Sequence, residues 1–195
     1  MSFVFPKYEA PKRQPLVAPA WSRPPWDEVP GLTSIRLEVV GTRGSVRLHS
    51  VEVYSRGFLM TVESRLPQRR LSVSELRSAE RLHRDSAHQG ELHDRLSVQV
   101  TFADRTAFHV EQAKWAPHDP AALEPSGAQI VLLDHSGGSS GDSVSFMNRR
   151  LWFTRLPPPG HVAIVVSWKG ILAARRLSFE AKSILDAART VAPPW

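Results

Sequence analysis

The chain of 195 residues has no cysteine. That excludes disulfide frameworks, thiolate zinc centres and cysteine nucleophiles, and it fits a reducing compartment. Long hydrophobic runs are also missing. The longest uninterrupted apolar stretch is Val162 to Val166, far too short to span a bilayer. The opening Met1 to Pro6 lacks the basic flank and apolar run of a secretory signal, so a soluble, cytoplasmic protein with no membrane partner is expected. Lysine is scarce, 5 residues against 20 arginines, and alanine and proline are plentiful, a bias that a GC-rich genome imposes whatever the function.

The net charge of +6 is spread along the chain: residues 1–95 hold 15 basic and 11 acidic side chains, and the remainder 10 and 8. Neither half is a basic domain, so solvated arginines on outer strand faces account for the excess better than a nucleic-acid partner does.

Residues 1–33 carry seven prolines, a density that removes backbone donors and blocks both helix and inner strand. The segment reads as an extended arm. It also holds Phe3, Phe5, Tyr8, Trp21 and Trp26, too many aromatics for a solvated linker, so part of it is expected to pack on its own domain or on a partner.

Residues 34–195 read as one β domain. Ile35, Leu37 and Val39 alternate with polar residues, as do Phe58, Met60 and Val62, and Leu96, Val98, Val100 and Phe102, each pattern marking a strand with one buried face. A phase change near Ser50 predicts a bulge, and the mismatch between Val144/Phe146 and Leu151/Phe153 predicts a second at Arg149-Arg150. Residues 66–94 lose the alternation and read as a polar insertion, with Ser72 and Glu75 forming a capping box for a short helix. Ser136 to Asp142 reads as a Gly/Ser loop, and His161 to Trp168 as a central strand buried on both faces. Ser178 is placed to cap a C-terminal helix over 179–190. The whole predicts a mainly β, antiparallel sandwich of immunoglobulin-like architecture.

Several segments give a resemblance: Tyr54-Ser55-Arg56-Gly57-Phe58, Phe102-Ala103-Asp104, the glycine-rich Ser136 to Gly141, and Trp152-Phe153-Thr154-Arg155-Leu156-Pro157-Pro158-Pro159-Gly160, followed by a strand closing on Trp168 and a last helix. From Ile35 onward the chain resembles a group of uncharacterised actinobacterial proteins that share these blocks. It departs from them at Arg105, where a glycine is usual, and in a shortened Trp168-Lys169-Gly170-Ile171 segment. The resemblance implies a β fold and an actinobacterial source, and no activity.

Chemistry-bearing constellations are few. Gly137-Gly138-Ser139-Ser140-Gly141 has the spacing of a serine nucleophile elbow, but a strand rather than a helix follows it. His83, His88 and His93 recur every five residues, a step that keeps no common face on a helix or a strand, so only a loop could gather them around a metal; no metal or cofactor is assigned. Arg69, Arg70, Arg77 and Arg81 cluster in the insertion and can neutralise phosphates or another anion, yet no aromatic stacks between them. The two Arg-Arg-x-Ser tetrapeptides ending at Ser72 and Ser178 suit a basophilic kinase less well than they suit helix caps. An enzymatic alternative rests on a loop-built site of Asp134, His135 and Ser139.

The reading preferred from sequence is a noncatalytic protein–protein interaction or structural module whose partner is another protein or a second copy. Trp21 and the two Pro-Pro-Trp ends at Trp26 and Trp195 are the candidate contact residues, and each of the two terminal tryptophans either seals its own sandwich or docks on a neighbour. Deleting residues 1–30 is then expected to change the assembly state while leaving the melting transition of the domain largely in place.

Overall fold

The computed structural model describes residues 18–67, 69, 71–77, 96–117, 119, 121–140 and 144–194, with only the backbone described at Ser139 and Ser140. Alternating apolar residues build two packed sheets, as the period of two demands. One runs β1 (Gly31–Leu32), β3 (Ser45–Val53), β4 (Phe58–Pro67), β9 (Val144–Phe153), β8 (Ile130–Ser140) and β7 (Lys114–Trp115), with β2 (Leu37–Val40) also paired to β3. The other runs β11 (Leu172–Glu180), β10 (His161–Trp168), β5 (Leu96–Thr101) and β6 (Ala107–His109). Pairing is antiparallel throughout except between β7 and β8.

The core lies between the sheets. Val46, Leu48, Met60, Val62 and Leu151 face Val98, Val100, Ile164 and Val166, all buried. Each such side chain contributes about 1.5–3 kcal/mol. An aromatic cluster ties the sheets together: Phe58 stacks on Phe153 at 4.5 Å, Phe108 meets Phe153 edge-on at 5.2 Å, and Phe102 meets Phe108 at 5.0 Å.

Ser50 has φ 52° where the β3–β4 register slips, so the bulge expected there is present. Ser72 and Glu75 make the expected reciprocal bonds ahead of helical residues 73–77: Glu75 Oε2 accepts from the Ser72 N–H at 2.9 Å, and Ser72 Oγ accepts from the Glu75 N–H at 3.3 Å.

Four expectations are corrected. The pairing of β9 with β4 runs unbroken from Phe153 to Val144, and the slip lies in β8 between Leu132 and Asp134; Val144 and Phe146 simply face away from the core. Ser136 to Ser140 belong to β8, because hydrogen bonding to β9 carries the strand through both glycines. β10 is central, but Ala163, Val165 and Ser167 on its outer face are only half-buried. Ser178 caps nothing: β11 stays paired to β10 as far as Glu180, opposite His161, and the C-terminal helix is Lys182–Ala188 with Ala181 at its N-cap.

The helix seats its buried Ile184 and Ala187 against the first strand. Gly31 has no room for a side chain, since a Cβ there would lie 2.0 Å from the Ala187 carbonyl oxygen. A bridge between Val29 and Ala192 fastens the arm to the segment after the helix. Among the described residues, no helix is long and apolar enough to cross a membrane.

Candidate functional site: the arm and the sheet edge

The described part of the arm is structure, not tether. Ala20–Ser22 form a 3-10 turn in which Ser22 Oγ donates to the Pro19 carbonyl at 2.8 Å. The turn lays Trp21 over Trp152 on the outer face of the large sheet. Trp152 Nε1 donates to the Trp21 carbonyl and Trp21 Nε1 to the Ala122 carbonyl, both at 3.0 Å. Tyr54 meets Trp152 edge-on at 5.7 Å, and Leu59 and Val131 complete a second small core. Beyond it the arm wraps the Tyr54–Gly57 turn: Arg56 donates to the Ala20 carbonyl at 3.0 Å, the Ser55 N–H donates to Glu28 Oε2 at 2.9 Å, and Ser55 Oγ donates to the other Glu28 oxygen.

The consequence for the candidate contact residues is unequal. Trp21 covers its own sheet and is not free to dock. Trp26, held out by Pro24 and Pro25, is 85% exposed, and Val29 (46%) and Leu32 (75%), farther along the chain, are exposed as well. Trp26 therefore does not seal the sandwich. A hollow of about 370 Å³ opens beside it, walled by Arg23, Pro24, Pro25, Glu28 and Arg56. Trp195 lies outside the described residues, although Pro193 and Pro194 follow directly on the Ala192 bridge.

Arg69 and Arg77 are exposed, while Arg70, Arg81, His83, His88 and His93 lie outside the described residues. Among those described, no group of three His, Cys, Asp or Glu side chains is placed to hold a metal. Asp134 and His135 are successive strand residues opposite Arg150 and Arg149, so their side chains leave opposite faces of the sheet and the carboxylate cannot orient the imidazole. Ser139 lies four residues farther along β8, about 13 Å at strand rise. The proposed catalytic trio is not assembled, and Ser139 stands in a strand instead of an elbow.

Two features were not anticipated. The first is a cleft of about 540 Å³ where the edge strands β6 and β7 part, with Trp21, Trp115, His109, Gln112, Lys114 and Gln129 among its walls. The sequence around Trp115 reads as a mere link, and a lone tryptophan there was the available signal. The Trp115 ring rests against His135 at 5.3 Å.

The second is the polar outer face of β3, β4 and β9. Arg47, Glu63 and Asn148 are successive cross-strand partners, with His49 and Thr61 in the next row. Arg65 Nε reaches Glu63 at 2.7 Å and Arg47 reaches Glu38 at 3.2 Å, yet the buried Arg47 Nε, His49 Nε2 and Asn148 Oδ1 have no hydrogen-bond partner. Burial holds His49 below the ordinary imidazole range, reinforced by Arg47, Arg36 and Arg65 and opposed by Glu63. At neutral pH this imidazole is an uncharged member of a charged row, with Nδ1 engaged by Ser50 Oγ at 2.8 Å. No family model, no curated protein and no solved structure matches this chain.

Proposed function

We propose that this chain is a noncatalytic protein–protein interaction module that pairs with a second copy of itself through the surface around Trp26. The observation that carries the reading is an indole left 85% exposed on an arm that is otherwise pinned down. A fixed aromatic presented this way loses little entropy on docking, and such rings are enriched among the residues that dominate interface energies.

The hollow beside Trp26 favours a second copy over an unrelated surface. In a two-fold arrangement each patch meets itself, so an exposed indole next to a hollow can insert reciprocally. Pro24 and Pro25 offer it flat walls and Arg56 a guanidinium to lie over the ring. Val29 and Leu32 are further exposed apolar side chains of the same segment. An enzymatic reading loses its support where Asp134 and His135 point apart.

Light scattering over a concentration series tests this. The wild-type protein should approach twice the monomer mass, and Trp26→Ala should remain monomeric with the melting curve the wild type shows when diluted to monomer. A wild type that stays monomeric at its highest soluble concentration, or a Trp26→Ala protein that dimerises equally well, overturns the proposal.

A further inference from the structure

The cleft between β6 and β7 is separate from the Trp26 surface and shares no residue with the hollow beside it. Its volume, about 540 Å³, falls in the range of sites that take a compact ligand. Two tryptophans wall it: the Trp21 ring is held by its bond to the Ala122 carbonyl, and the Trp115 ring, on the paired strand β7, lies against His135. A ring already held in place lowers the ordering cost of binding.

The polar groups around those walls are mostly unused, and among them donors outnumber the two amide oxygens of Gln112 and Gln129. Among the described residues, the Trp115 indole N–H and the side-chain amides of Gln112 and Gln129 have no hydrogen-bond partner, and Lys114 makes no ion pair. Among the described residues, no aspartate or glutamate lines the cleft.

We propose that this cleft binds a proline-rich segment of a partner protein in the polyproline II conformation. Proline offers a carbonyl and no N–H, so such a segment presents acceptors and asks the site for donors. Its pyrrolidine rings are flat apolar faces that lie on indoles, and its helix is already ordered before binding. The other ligands that stack on tryptophan fit less well. Sugar hydroxyls donate as well as accept, and the described walls set only the Gln112 and Gln129 amide oxygens and no carboxylate against them; a polyanion needs more than the one lysine charge those walls carry. The inference is independent of dimerisation through Trp26.

Isothermal titration of the full chain with decaproline tests it, with a Gly/Ser decamer and a glucose hexasaccharide run in parallel. Saturable one-to-one binding of decaproline alone is expected. Trp115→Ala should weaken it about tenfold or more, as loss of an aromatic anchor does. Gln112 is exposed and outside the core, so Gln112→Ala keeps the fold and should weaken binding several-fold, whereas Trp26→Ala should leave it unchanged. Absence of saturable decaproline binding, equal binding of the Gly/Ser peptide, or preference for the hexasaccharide overturns the occupant. Decaproline binding that neither Trp115→Ala nor Gln112→Ala alters overturns the site.

Discussion

The indole N–H of Trp152 donates to the backbone carbonyl of Trp21 at 3.0 Å, so a fully buried ring on the outer face of the large sheet is satisfied by the arm. A tryptophan on that face would otherwise stand in water. The arm instead adds a thin third layer over β4, β8 and β9, which makes residues 18–28 part of the folded unit.

Replacing Trp21 should therefore cost stability. A fully buried Trp→Ala change costs about 3–5 kcal/mol, and for a half-buried ring about 2 kcal/mol is expected. Urea unfolding of Trp21→Ala should show that loss as a lower midpoint at similar slope. A deletion through residue 30 should melt well below the intact chain, in contrast to the expectation from sequence; an unchanged midpoint in either protein would show that the arm covers nothing that matters.

What the sequence disclosed and what it hid follow from the range of the interactions. The alternation in Leu96 to Phe102 and in Phe58 to Val62 is local, and so were the bulge at Ser50 and the capping box of Ser72 and Glu75. Ser145 and Arg149 broke the pattern in β9 because polar residues occupy its inner face, which mimicked a change of phase. Ser136 to Ser140 looked like a loop because glycine is a poor strand former, and β9 alongside overrode that preference. The cleft was illegible because residues 107–117 meet Trp21 and residues 125–131 only once the arm and the two sheets are in place, and no spacing in the chain records that meeting.

The turn after β5 carries a second prediction. Arg105 has φ 69°, in the left-handed region, within a tight connection where the Phe102 N–H donates to the Thr106 carbonyl at 2.9 Å. That conformation costs a residue with a Cβ about 1–2 kcal/mol, whereas glycine adopts it freely and gives back about 0.5–1 kcal/mol through its more disordered unfolded chain. Arg105→Gly should raise stability by up to about 1 kcal/mol in denaturant unfolding, with Arg105→Ala near wild type because it keeps the same strain. A glycine variant less stable than the alanine variant would show that the backbone there is relaxed.

The third prediction concerns pH. Burial, with Arg47, Arg36 and Arg65 nearby, depresses the His49 pKa below its ordinary 6.5, and Glu63 only partly opposes this. The unfolded chain then binds the proton more readily than the folded one, so stability rises with pH across the interval between the two values. The contribution is fully present above the unfolded value of 6.5 and is lost as pH falls from there through the depressed folded value. Asp104, Asp186 and Glu75 are also depressed, by hydrogen bonds from Thr106, Lys182 and Ser72 respectively, but their losses begin below their ordinary values of 3.8, 3.8 and 4.5, a separate and more acidic window. Melting temperatures collected from about pH 8 down to about pH 5, the interval in which imidazoles are the side chains that ordinarily titrate, should fall as the solution becomes acidic. His49→Gln cannot take up the proton, and its melting temperature should depend less on pH over that interval. If wild type and His49→Gln keep the same slope, the acid sensitivity belongs to other groups and His49 titrates as a free imidazole.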